Sequence, residues 1–252
     1  MESRNDPVDP ETIQEHVRRY YARLFARGRT VPEGVPIPTG RQLAMELGYP
    51  PSLCSRIPDY LWDLFAPCGN PLPYVEGGKN PWVLNLGCGV GIDSLALTAA
   101  HPGMHVVGAD AVWQVVSQAN RGVDEGQWPS TGLHWLCGDA TRLPFRYQCF
   151  DAVLLNGVFN LFADKPALLK ELRRVLKPRA HILIADLCND TDLPDQFAQE
   201  ADAWAWCMSG ALALNELRDL LGQAGFGTIE VREKEDAEMF FRTVVTCRKS
   251  PV

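Results

Sequence analysis

One stretch restricts the fold more than any other: Trp82 to Asp110, reading WVLNLGCGVGIDSLALTAAHPGMHVVGAD. A short apolar run from Val83 to Leu86 breaks into alternating glycines at Gly87, Gly89 and Gly91, and a helical pattern follows from Ile92 to Ala100. The order is strand, tight turn, helix. A second apolar run, Met104 to Ala109, stops at a lone carboxylate, Asp110, about twenty residues beyond the first glycine. Glycines suit a backbone that turns with positive φ and that a ligand must approach closely. An acid closing the second strand can accept both hydroxyls of a ribose. The same pattern can also be a βαβ unit that binds nothing; the placed Asp110 favours a nucleoside cofactor.

The glycine spacing decides which nucleoside. The dinucleotide fingerprint G-x-G-x-x-G fails, because Ile92 stands where its third glycine belongs, and no G-x-x-x-x-G-K-[ST] run signals a P-loop. The pattern is G-x-G-x-G, and it resembles motif I of the class I S-adenosylmethionine (SAM) methyltransferases. That motif usually opens with Asp or Glu where this chain has Asn85. An amide accepts a hydrogen bond but brings no negative charge to the cofactor's ammonium group.

A chain of 252 residues can build one substantial α/β core with an elaborated cap. A net charge of −7 with no Lys/Arg cluster argues against a nucleic-acid partner, since phosphate neutralisation needs concentrated positive charge. Small substrates fit better. No apolar run approaches the roughly eighteen residues of a membrane span, and MESRNDPVDPE at the start holds no hydrophobic signal region. The expected setting is cytoplasmic, and the oligomeric state, monomer or dimer, stays open. The eight cysteines are dispersed with no C-x-x-C pair, so neither a structural zinc nor a dithiol redox motif has local support, and no metal site is expected. Cys137, Cys188 and Cys247 read as small buried hydrophobes beside strands, and Cys88 as a small residue inside the glycine turn.

Residues 1 to about 11 read as disordered. Ile13 to Ala26 carries Val17, Tyr20, Tyr21, Leu24 and Phe25 on one helical face. Short helices are expected from Gly40 to Leu47, capped by Thr39 and closed by Gly48, and from Pro58 to Phe65. Residues 1–80 hold little core of their own and read as a helical cap over a Rossmann-like domain spanning 81–252. In that domain strand and helix alternate, predicting a mostly parallel sheet. Strands are expected at Leu133 to Cys137, at Phe150 to Leu155, and within KPRAHILIADL. Helices are expected at Val112 to Asn120, Pro166 to Leu176, Asp195 to Ser209 and Asn215 to Ala224. Ile229 to Glu233 and Phe240 to Cys247 would close the sheet as an antiparallel edge hairpin.

Ligands of such sheets bind at the carboxyl ends of the strands. The expected cofactor residues are Gly87, Cys88, Gly89 and Gly91 in the turn with Asn85 before it, then Asp110 and Ala111, Asp139 and Ala140, and Asn156. Asp139 can accept the adenine amino group or be an ordinary turn aspartate; Asn156 can contact cofactor or substrate, or serve a turn. Tyr21 can close over the cofactor, or simply pack.

Four segments, VRRYY, FAPCGNPLPY, LLNGVFNLFADKPALLKELRRVLKP and CMSGALALNELRDLLGQAGF, resemble the arsenite methyltransferases and their relatives. The resemblance implies trivalent arsenic held by cysteine thiolates from three segments, a soft ligand set for a soft metalloid. Cys207 occupies the last of those positions and Cys68 lies close to the first. The middle one reads Asn156-Gly157-Val158, without a cysteine, and Cys54 stands alone in PPSLCSRIP. The set is incomplete, which points to a changed acceptor. The expected substrate residues are Tyr20, Cys68, Gly157, Trp206 and Cys207. Trp204, Trp206 and Met208 can line an apolar pocket or be core.

The methyl group of SAM is already activated, so alignment is the protein's main task. No convincing general base is visible; His16 is the one histidine expected to face the site from the cap. The missing base favours a thiol or dithiol acceptor, and the catalytic residues stay unassigned. Arsenite itself, an oxygen, nitrogen or carbon acceptor of a natural product, and a non-catalytic SAM-binding regulator are the other readings. Asn85 keeps the last of them open.

Overall fold

The computed structural model describes residues 9–28, 39–126, 128, 131–189, 201–237 and 240–251. The first helix, α1 (Pro10–Ala26), starts earlier than its apolar periodicity. Asp9 caps it by accepting the Thr12 N–H at 3.0 Å, and Pro10 suits the first helical position, where no N–H is needed. Three short helices follow: α2 (Gly40–Glu46), α3 (Pro51–Cys54) and α4 (Asp59–Trp62). Thr39 stands at the start of α2, but its side chain makes no capping bond; the Gly40 N–H donates instead to the Phe65 carbonyl at 2.7 Å. The turn α3 has no counterpart in the periodicity, being opened by the proline pair Pro50-Pro51.

The sheet then alternates with helices: β1 (Trp82–Leu86), α5 (Ile92–Ala100), β2 (His105–Asp110), α6 (Trp113–Glu125), β3 (Leu133–Cys137), β4 (Phe150–Asn156), α7 (Lys165–Val175) and β5 (Leu176–Asn189). After α8 (Ala201–Ala205) come the two-residue β6 (Leu212–Ala213), α9 (Leu214–Gln223), β7 (Phe226–Ala237) and β8 (Phe240–Lys249). The N-terminal part of the expected 195–209 helix lies outside the described residues. The order across the sheet is β3-β2-β1-β4-β5-β8-β7, with β6 against β5. The first five strands of that order run parallel, while β8 pairs antiparallel with both β5 and β7. The mixed α/β sheet and its closing hairpin are therefore as the sequence pattern implies. The strand order reverses between the parallel β1 and β4, which opens a crevice at their carboxyl ends.

Both sheet faces are buried. Leu84, Leu86, Val153 and Leu155 point to one side, with Leu168, Leu172 and the α1 residues Ile13 and Val17. Val83, Ala152 and Leu154 point to the other, with Ile92, Leu95, Val115 and the N-terminal residues Tyr49, Leu61 and Trp62. A period of two lies beneath what the sequence shows as continuous apolar runs. Each such buried side chain contributes about 1.5–3 kcal/mol of transfer free energy. The N-terminal helices thus share their cores with the two sides of the sheet, and α1 and the loop after α4 come to rest over the crevice. No helix of the described residues is long and apolar enough to cross a membrane.

Candidate active site

The crevice is a cavity of about 890 Å³, lined from β1 by Gly87, Cys88 and Gly89, from β2 by Asp110 and Ala111, from the loop after β3 by Asp139 and Ala140, and from β4 by Asn156 and Gly157. Tyr21 and Phe25 of α1 close it from above. The turn that begins it holds Gly87, Gly89 and Gly91 at φ of 66°, 52° and 83°, a region that costs an L-residue strain. A side-chain carbon on Gly91 would run into the Trp135 ring, whereas one on Gly89 would meet nothing within 4 Å. The crest of the turn is therefore bare backbone facing the cavity. Asp110 ties the turn to β2, its Oδ2 accepting the Gly89 N–H at 3.0 Å and its Oδ1 the Val112 N–H at 2.9 Å. Burial pushes its carboxyl above the ordinary range.

Asp139 lines the cavity and also makes a turn, accepting from the Thr141 N–H and hydroxyl at 2.8 Å each. Cys88 is buried and donates to the Gly89 carbonyl at 3.5 Å. Asn85 is elsewhere. Its amide is buried and donates to the Ser94 hydroxyl at 2.9 Å, and it does not reach the cavity wall.

At the β4 end lies a network that sequence reasoning missed. The Tyr49 hydroxyl donates to Asp93 Oδ1 at 2.6 Å, and the Asn156 amide donates to Asp93 Oδ2 at 3.1 Å. Asn156 also donates to the Gly69 carbonyl at 3.1 Å, and its Oδ1 accepts the Cys68 N–H at 2.9 Å. One side chain thereby fastens the loop carrying Cys68 to the end of β4. Asp93 is 4% exposed, and burial lifts its carboxyl to about 6.

Behind Gly157 two thiols meet. Cys207 Sγ donates to the Gly157 carbonyl at 3.4 Å, and Cys68 lies close enough to raise the Cys207 thiol. A side-chain carbon on Gly157 would stand 3.4 Å from the Cys68 sulfur. Cys68 thus borders the space that the glycine leaves. Neither sulfur residue forms the cavity wall itself, which Pro67 and Gly157 supply. Cys207 is held at φ 62°, a left-handed conformation costing a non-glycine residue roughly 1–3 kcal/mol. The neighbouring Cys68 thiol, burial, and nearby Asp186 all push its thiol well above the ordinary range.

Asp186 was also missed. It is 2% exposed, accepts from the Asn160 N–H at 3.1 Å and the Leu187 N–H at 2.9 Å, and stands close to Cys207. Burial lifts it to about 6. Lys165 feels both Asp186 and Cys207; burial brings its ammonium down to about 8, and it donates to the Phe162 carbonyl at 2.9 Å. The signal for Asp186 was present as a lone acid inside the apolar run ILIADLC, where an unpaired charge is costly.

Tyr20 and Trp206 are set one layer back from the cavity: the Trp206 indole N–H donates to the Tyr20 hydroxyl at 2.6 Å. The Tyr21 hydroxyl donates to the Ala205 carbonyl at 2.8 Å. His16 lies tilted against Tyr20, with ring centroids 6.3 Å apart, and does not line the cavity. The Cys54 side chain lies outside the described residues. Among the described residues no cluster of three His, Cys, Asp or Glu could hold a metal ion.

Residues 78–236 match the family described as "Methyltransferase domain", and the chain belongs to that family, as a class I SAM-dependent methyltransferase. Its particular likeness is to the arsenite branch. An arsenite methyltransferase of Halobacterium salinarum is 28% identical over 92% of this chain and 62% of its own length, and the human arsenite methyltransferase is 26% identical over 85% and 58%. The chain thus spans about six-tenths of the length of these relatives. The crystal structure of an arsenic(III) S-adenosylmethionine methyltransferase from Chlamydomonas reinhardtii superposes with a TM-score of 0.62 at 25% identity, covering 81% of this chain and 74% of that one.

SAM is the cofactor, and the cavity fits it: a bare glycine crest for close approach, a buried carboxylate at the end of β2, and an aspartate with backbone beyond β3. The family likeness favours an enzyme over the non-catalytic regulator that Asn85 left open.

Proposed function

We propose that the enzyme methylates a small soft acceptor, and that the acceptor is trivalent arsenic held between Cys68 and Cys207. The meeting of these two thiols behind Gly157 carries the reading. A buried and a half-buried protein thiol do little to bind an organic thiol, but they are a ligand pair for a thiophilic atom. The sequence alone counted the cysteine set as incomplete. A pair nevertheless suffices to seat a soft atom beside the cavity, and the likeness to arsenite methyltransferases supports it.

A thiol held neutral at Cys207 suits this binding. When a thiol condenses with an arsenic(III) hydroxide, an As–S bond forms, an As–O bond breaks, and the thiol proton leaves with the hydroxide as water. No oxidation state changes, and no thiolate need exist beforehand. Lys165 and Asp186 offset the charge around Cys207 as protons move, and Asn156 holds the backbone of Cys68 in place. Bound SAM supplies a methyl group on a sulfonium, already electrophilic. In this reading Gly87, Cys88, Gly89, Gly91, Asp110, Ala111, Asp139, Ala140 and Tyr21 seat the cofactor. The described helices within residues 1–80 act as the cap that excludes water, while Tyr20 and Trp206 steady the segment carrying Cys207.

An organic thiol or dithiol is the second reading, favoured by an apolar wall of Phe25, Leu64, Phe65 and Val158 that exceeds what arsenite needs. Labelled methyl transfer to arsenite, to 2-mercaptoethanol and to catechol, with a phosphine as reductant, separates the two. The expected result is methylated arsenic, falling at least about tenfold in Cys68→Ser and in Cys207→Ser, with S-adenosylhomocysteine still bound. Methylation of the organic thiol alone, unchanged in both variants, overturns the arsenic reading.

A further inference from the structure

We infer that Asp93 supplies the negative charge that recognises the cofactor's ammonium group, replacing the acidic residue that Asn85 lacks. The carboxylate is buried, and it lines the cavity between the glycine turn and Asn156. Its two recorded partners, Tyr49 and Asn156, are neutral donors. Among the described residues no Lys, Arg or His pairs with it. A buried carboxylate held by neutral donors is stabilised in ionised form when a cation arrives, and SAM brings an ammonium.

Strand order places it at the right end of the site. Asp139 follows β3 and Asp110 closes β2, so the adenine and ribose side lies on that flank of β1. Asp93 and Asn156 face each other on the opposite flank, toward β4, where the amino-acid end of the cofactor must run. The neutral Asn85 then makes sense. Its amide bonds Ser94, the neighbour of Asp93, and so steadies the first turn of α5 from behind. The acid has moved from the strand to the helix.

The test is titration calorimetry of Asp93→Asn against the wild type with two probes. S-adenosylhomocysteine carries the ammonium; methylthioadenosine keeps the adenine and ribose but has no amino-acid end. Loss of one charge-assisted bond predicts S-adenosylhomocysteine binding weakened by roughly tenfold or more, and methylthioadenosine binding changed by less than about twofold. Unchanged S-adenosylhomocysteine affinity overturns the proposal, as does an equal loss for both probes, which would mark a purely structural role.

Should the variant fail to fold, the wild type still decides. The groups facing Asp93 are Tyr49, Asn156 and the Cys88 thiol, and none of these changes charge in mildly acidic solution. Asp110 faces the ribose of both probes alike. Affinity for S-adenosylhomocysteine relative to methylthioadenosine should therefore fall as pH drops below about 6. A flat ratio across that window contradicts the role.

Discussion

At the scale of single residues, the site depends on acids kept in places where charge is expensive. Asp93 and Asp186 both stand near 6 against an ordinary 3.8. The folded state therefore binds protons that the unfolded chain has already released. Stability from these groups is present below the unfolded value and is lost as pH rises through 6, by on the order of 3 kcal/mol each. Urea unfolding of the ligand-free protein should show this as a downward slope between about pH 4 and 7, flattened in a double variant with Asp93→Asn and Asp186→Asn. Equal slopes in both proteins would count against it. Gly157→Ala is expected to cost about 1–3 kcal/mol, because φ is +67°, while the new carbon would only touch the Ala66 carbonyl and the Cys68 sulfur at 3.4 Å. Thermal melting measures the cost. The glycines and Asp110 were legible in the sequence because strand ends and positive-φ turns have local signatures. Asp93 and Tyr49 were not, since one reads as an ordinary helix-start acid and its partner lies 44 positions away.

At the scale of elements, α1 clamps α8 through Tyr21 on the Ala205 carbonyl and through Trp206 on Tyr20. Tyr21→Phe removes a donor and leaves that carbonyl unpaired, at a cost of about 1–2 kcal/mol. Hydrogen exchange should then quicken in residues 201–210 while β1 and β4 keep their protection; uniform quickening would show that α1 supports the whole core instead. The regular elements of the sheet were readable from periodicity: β3 and α5 have the expected bounds. Lengths were less so, because pairing extends a strand beyond its apolar stretch. β7 runs from Phe226 to Ala237 through charged residues such as Glu230 and Glu235, held by its antiparallel ladder with β8. The meeting of Cys68 with Cys207 has no local signature at all, being set by how the loop after α4 and the turn after α8 converge on Gly157.

At the scale of the whole molecule, cofactor binding and folding are linked. S-adenosylhomocysteine at about a hundred times its dissociation constant should add about 2.7 kcal/mol to stability if it binds only the folded chain, a gain readable in thermal melts and smaller in Asp93→Asn. The central claim is narrower: two thiols, brought together by the fold, seat one soft atom beside the methyl donor. Arsenic K-edge absorption on arsenite-loaded protein, with a phosphine as the only reductant, tests it most directly. The wild type should show two sulfur neighbours on one bound arsenic, falling to one in Cys68→Ser and in Cys207→Ser. An arsenic surrounded by oxygen alone, or a sulfur count unchanged in both variants, would contradict it.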